Sequence, residues 1–89
     1  MTTGFNNVKD VFDAVRVTRD RLQSMGAADL AKALSDTLDG YWTTGSEALI
    51  ELLQTIDEVR PQCTKTLDAT DLVQLDEARA AALRLLNLR

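Results

Sequence analysis

The chain has 89 residues, of which 45% are hydrophobic and 27% charged, with a formal net charge of −4; this is enough apolar material to offset the entropy of ordering the chain, which excludes a disordered polymer. Histidine is absent, which removes the commonest general base and the commonest metal ligand, and the single cysteine, Cys63, allows no internal disulfide and points to a reducing compartment, the cytoplasm. No apolar run approaches the ~20 residues that span a bilayer, and Met1-Thr2-Thr3-Gly4-Phe5-Asn6-Asn7 has neither the basic start nor the apolar stretch of a secretory signal, so a membrane is not an expected partner.

Apolar spacing predicts a first helix over residues 8–25, with Asn6 or Asn7 as its cap and Val8, Val11, Phe12, Val15, Leu22 and Met25 on one stripe. Gly26 ends it, since only glycine enters the left-handed conformation freely. The second helix is expected over 28–39. Leu30, Ala31, Leu34 and Leu38 form its inner face, Tyr41 continues that line, and Gly40 is the stop.

The third helix, 45–60, opens on Thr44-Gly45-Ser46-Glu47, the pattern of a reciprocal cap in which Thr44 and Glu47 each satisfy the other's backbone N–H. Leu49, Leu52, Leu53 and Ile56 supply its stripe, with Val59 on the flank, and Pro61 is expected to terminate it at or before Arg60. A loop through Gln62-Cys63-Thr64-Lys65-Thr66 then leads to a fourth helix over 69–88, lined inside by Leu72, Leu75, Ala78, Ala82, Leu83 and Leu86. Period-2 alternation is missing, so no strand competes. The expected architecture is all-α: a single domain over 1–89 folded as a small up-and-down bundle of about four helices, with residues 1–6 a flexible N-terminus. The last helix packs on its own bundle or swaps onto a second chain.

Charge is uneven along the chain. Residues 1–28 sum to about +1, residues 29–59 to about −6 and residues 60–89 to about +1. The acidic middle would repel nucleic-acid phosphates and attract basic surfaces, which makes Asp29, Asp36, Asp39, Glu47 and Glu51 a candidate partner surface. The alternative is a solvated face that keeps a small protein soluble. Residues 29–34 resemble the opening helix of a helix-turn-helix. The helix in the recognition position carries Glu47, Glu51, Asp57 and Glu58, the wrong sign for a major groove, so nucleic acid is not an expected partner.

Arg19 and Arg79 fall where the helical stripes call for apolar residues, so each must snorkel to water, pair with an acid or face a partner. Tyr41-Trp42 is a solitary aromatic pair at a helix end, an anchor for a partner or, as favoured here for the tryptophan, a plug for one end of the core. Ile50, Leu85 and Leu88, together with Val17, fall outside the main stripes. The C-terminal run of leucines favours a self-association contact, making a homodimer possible.

Nothing in the pattern builds an active site. Cys63 has no histidine to activate it, adjacent carboxylates such as Asp57-Glu58 and Asp76-Glu77 diverge by about 100° on a helix, and no phosphate, calcium or zinc spacing occurs. No catalytic, cofactor-binding or metal-binding residue is therefore assigned, and no cofactor is expected.

The stretch Gly26 to Leu53, with a glycine, the Leu30-Ala31…Leu34…Leu38 helix and Thr44-Gly45-Ser46-Glu47 opening a leucine-rich helix, resembles a pattern in small uncharacterised bacterial helical proteins. It covers about a third of the chain. The resemblance implies a bacterial origin and a helical fold and carries no activity. The sequence thus points to a non-enzymatic protein–protein interaction module, self-associating through its last helix. The alternative is an acidic inhibitor of a basic or nucleic-acid-handling protein, of the immunity, antitoxin-like or phage-antagonist type.

Overall fold

A computed structural model describes residues 7–87. They form four helices and no strand: α1 (Val8–Ser24), α2 (Ala28–Leu38), α3 (Gly45–Cys63) and α4 (Ala69–Asn87). The expected all-α bundle is the fold observed. The N-terminal stretch 1–6 and Leu88 lie outside the described residues.

Local chemistry sets most of the helix ends. Asn7 Oδ1 accepts from the Asp10 N–H at 2.9 Å, capping α1. At the other end Gly26 takes φ +83°. The Ala27 N–H then reaches back to the Leu22 carbonyl at 2.9 Å and the Gly26 N–H to that of Gln23 at 3.2 Å, the paired bonds of a Schellman stop. Met25 becomes the cap rather than a stripe residue and is half exposed. Thr44 Oγ1 accepts from the Glu47 N–H at 3.1 Å and opens α3, but the reciprocal bond from Glu47 to Thr44 is not formed among the described residues. Asp68 Oδ1 caps α4 through the Asp71 N–H at 2.9 Å.

Pro61 does not end α3. The helix runs on to Cys63 with the proline inside it. The missing N–H costs one bond to the Asp57 carbonyl, but stopping at Arg60 would withdraw Cys63, which is fully buried one turn beyond the equally inward Val59. Burial of that last turn prevails over the local preference. The turn that follows is tight, with Thr66 and Leu67 N–H groups both bonded to the Cys63 carbonyl, at 3.0 and 2.8 Å. Leu67, which follows this turn, enters the core.

Side-chain pairs give the helix directions. Arg19 Nη1 donates to Ser35 Oγ at 3.0 Å and Arg16 Nη2 approaches the Leu38 carbonyl at 3.5 Å, so α2 runs back along α1. Asp57 meets Arg79 and Arg60 meets Asp76, so α4 runs back along α3. Arg21 near the end of α1 bonds Asp71 in the first turn of α4 at 3.0 Å. Each helix packs on its sequence neighbours and α4 closes the ring against α1. The fourth helix therefore packs on its own chain. The core is one cluster built on Val11, Val15, Leu22, Leu34, Leu49, Leu52, Ile56 and Leu75, with alanines on the inner side of α4. Buried Thr18, not Arg19, completes the stripe of α1.

The second helix is short. Eleven residues rise about 16 Å against about 28 Å for the nineteen of α3. The Thr37 and Thr55 hydroxyls meet at 2.6 Å, which sets the last turn of α2 against the middle of α3. The first turns of α3 thus project beyond α2. Trp42 lies in the connection there, packed against the core, with its Nε1–H donating to the Thr37 carbonyl at 3.1 Å.

Candidate interaction surfaces

Two neighbouring faces of the bundle share α3 and differ in charge. On the α2–α3 side, Asp29 and Asp36 lie one stripe outside Thr37, at four- and three-residue steps through Ala33. On α3, Glu47, Glu51 and Glu58 lie one stripe outside Thr55 in the same way. The Thr37–Thr55 contact joins these stripes into one face. Thr55 also donates to the Glu51 carbonyl at 3.0 Å; that uses its only proton, so Thr37 is the donor between the two hydroxyls.

The carboxylates of this face are largely unmatched. Asp36 pairs with Lys32 at 3.0 Å. Among the described residues, Asp29, Asp39, Glu47, Glu51 and Glu58 have no ion pair, and outside this region only Glu77 on α4 shares that condition. The acids of α1 and α4 are otherwise engaged: Asp13 with Lys9 and Arg16, Asp20 with Arg19, Asp71 with Arg21 and Asp76 with Arg60. Of the sequence-derived acidic set, four residues share the α2–α3 side. Asp39 is the C-cap of α2, off that stripe.

The α3–α4 face is built on matched charges. Asp57 Oδ1 lies 2.7 Å from Arg79 Nε. Arg60 makes a two-pronged contact with Asp76, at 2.8 and 2.9 Å. The Arg60 hydrogen bond holds the Asp76 carboxyl below its ordinary range, and the Asp57 hydrogen bond raises the Arg79 guanidinium. Of the alternatives open to Arg79 it takes the pairing, sitting at the edge of the inner stripe and answering an acid on the next helix. Arg19 does the same locally, with Asp20 at 2.7 Å.

These two pairs define a register that continues along the seam. Stepping back by four and three residues on α3 and forward by the same on α4 brings Leu53 opposite Leu83 and Ile50 opposite Leu86. Leu83, expected inside, is 39% exposed, and Ile50 is 47% exposed. Val73 on the same outer side of α4 is 56% exposed. Leu85 departs from expectation in the opposite sense, half-buried against the core, as is Leu86. Leu85 and Leu86 are therefore spent largely on their own bundle. Val17 is exposed but sits on α1, away from this seam.

The aromatic pair divides. Trp42 is half-buried, whereas Tyr41 is 99% exposed and continues no inner line, because the chain has left the helix at Leu38. Cys63 is fully enclosed, and burial pushes its thiol up, against a weaker opposite pull from the Arg60 guanidinium. It stays protonated and shielded at neutral pH. Among the described residues no three cysteine or carboxylate side chains converge on a cation position. A shallow depression lined by Gly26 to Leu30 and Gln62 lies at the start of α2, where Asp29 would repel an anion drawn to the helix end. No helix among the described residues is long and apolar enough to cross a membrane.

The α3–α4 pairs were missed in the sequence. The signal was there: Leu53, Asp57 and Arg60 read forward, and Leu83, Arg79 and Asp76 read backward, are complementary at identical spacing. Only the antiparallel pairing of these two helices makes it visible. Comparison with family models, curated proteins and solved structures finds no match.

Proposed function

We propose that this protein is a non-enzymatic interaction module that holds a basic protein partner on its α2–α3 face. The supporting observation is the set of carboxylates there, Asp29, Glu47, Glu51 and Glu58, that no cation among the described residues answers, while most acids elsewhere are paired. A field of one sign on a rigid two-helix face accelerates and orients capture of an oppositely charged surface. Covering the basic surface of a nucleic-acid-handling protein, as an inhibitor does, is the role such a face fits. The same field disfavours nucleic acid as a direct ligand. The reducing cytoplasm suits a chain whose single thiol is kept protonated.

The test is affinity capture from the native host with the wild-type chain and with a variant carrying Asp29→Lys, Glu47→Lys, Glu51→Lys and Glu58→Lys. These side chains are at the surface, so the fold survives. The wild type should retain a basic protein that the variant loses, and retention should fall steeply as salt is raised. Equal capture by both chains, unaffected by molar salt, would overturn the assignment.

A further inference from the structure

We infer that the α3–α4 face is a contact between two copies of this chain, related by a two-fold axis that runs along the seam between the helices. Each copy carries net −4, so most pairings of two copies oppose like charge to like. The α3–α4 face avoids this, because its charged side chains are matched in place: Asp57 with Arg79 and Arg60 with Asp76.

A two-fold parallel to the seam lays α3 of one copy over α4 of the other at equal height. Asp57 then faces the second copy's Arg79, and Arg60 faces its Asp76. Each ion pair becomes one edge of a four-membered ring in which the signs alternate. The side chains keep exposed edges for this, with Asp57 56% and Asp76 51% open to solvent. Further along, the same operation sets Leu53 and Ile50 of one copy over Leu83 and its neighbours on the other, covering apolar surface that the monomer leaves in water. A basic partner gains nothing here, since no carboxylate of the face is unmatched. It is drawn to the α2–α3 face instead.

Sedimentation equilibrium from micromolar to about 1 mM should show a reversible monomer–dimer equilibrium. Leu83→Glu, at an already exposed position, should weaken it on the order of tenfold or more while circular dichroism is unchanged; Ile50→Lys provides the same test at a second site. The decisive measurement uses the double swap Asp57→Arg with Arg79→Asp, which preserves every pair when swapped copies meet each other. In a mixture with mass-tagged wild type, the 57/79 ring of a mixed dimer would set acid against acid and base against base, while its Arg60–Asp76 ring is unchanged. Native mass spectrometry should find mixed dimers well below the statistical half, with both pure dimers present. A wild type that stays monomeric throughout, a dimer indifferent to both Leu83→Glu and Ile50→Lys, or statistical mixing would each overturn the inference. The α2–α3 reversals leave this equilibrium intact, so the two proposals fail separately.

Discussion

Gly40→Ala should destabilise this protein although glycine-to-alanine changes often stabilise. The backbone at Gly40 is not in the left-handed region, where Gly26 alone is found among the described residues, so alanine meets no conformational penalty. The obstacle is the indole. A methyl at Gly40 would stand 2.7 Å from Trp42 Cζ2, 3.0 Å from Cε2 and 3.2 Å from the Asp36 carbonyl oxygen. The ring has little freedom to retreat, because it is packed on the core and its Nε1–H is tied to the Thr37 carbonyl. Overpacking of this kind costs about 1–3 kcal/mol. In a domain of this size that lowers the midpoint of thermal unfolding by roughly 5–20 °C. Trp42→Leu removes both clashing atoms. In that background the penalty of Gly40→Ala should shrink by about 1 kcal/mol or more, leaving only the 3.2 Å approach to the Asp36 carbonyl oxygen. Calorimetry of the four proteins completes the cycle. A wild-type background in which Gly40→Ala raises the midpoint, or a cycle with no coupling between the sites, would refute the packing described for Trp42.

Further outcomes follow from the caps, the thiol and the ion pairs. Thr44→Ala should cost about 1 kcal/mol in chemical denaturation, whereas Glu47→Ala should cost much less, since only the Thr44 half of the cap is made. Cys63 should resist a thiol reagent in the native state and react fully in denaturant; rapid native labelling would contradict its burial. Asp76 has a folded-state pKa below its ordinary 3.8 because Arg60 bonds the carboxylate. Its contribution is complete above about pH 5 and is lost as pH falls through 3.8 towards the folded value. Asp76→Asn should therefore flatten the acid limb of the stability profile, and parallel profiles for variant and wild type would argue against the pair.

Helix type was readable along the chain because it is encoded locally. The apolar period of Val11, Val15 and Leu22, the side-chain acceptors at Asn7 and Thr44, and the left-handed turn at Gly26 act within a few residues of themselves. The four-helix bundle follows from these with little help. Where a local signal met a distant one, the distant one prevailed. Pro61 is a breaker by its own chemistry, yet α3 passes through it because Cys63 has a place in the core. Tyr41 and Leu83 have the spacing of inner residues, but α2 ends before the first and α4 turns the second towards solvent.

The surface was the least readable part. Composition along the chain located the acidic stretch between residues 29 and 59, but which of its carboxylates lack a partner depends on cations tens of residues away. Asp57 counts towards that excess in the sequence and is cancelled by Arg79, twenty-two residues on, once α3 and α4 lie antiparallel. Periodicity operates through the backbone of one helix and is written in the order of residues. Pairing between helices operates through space, so only the folded bundle decides which charges remain to meet a partner.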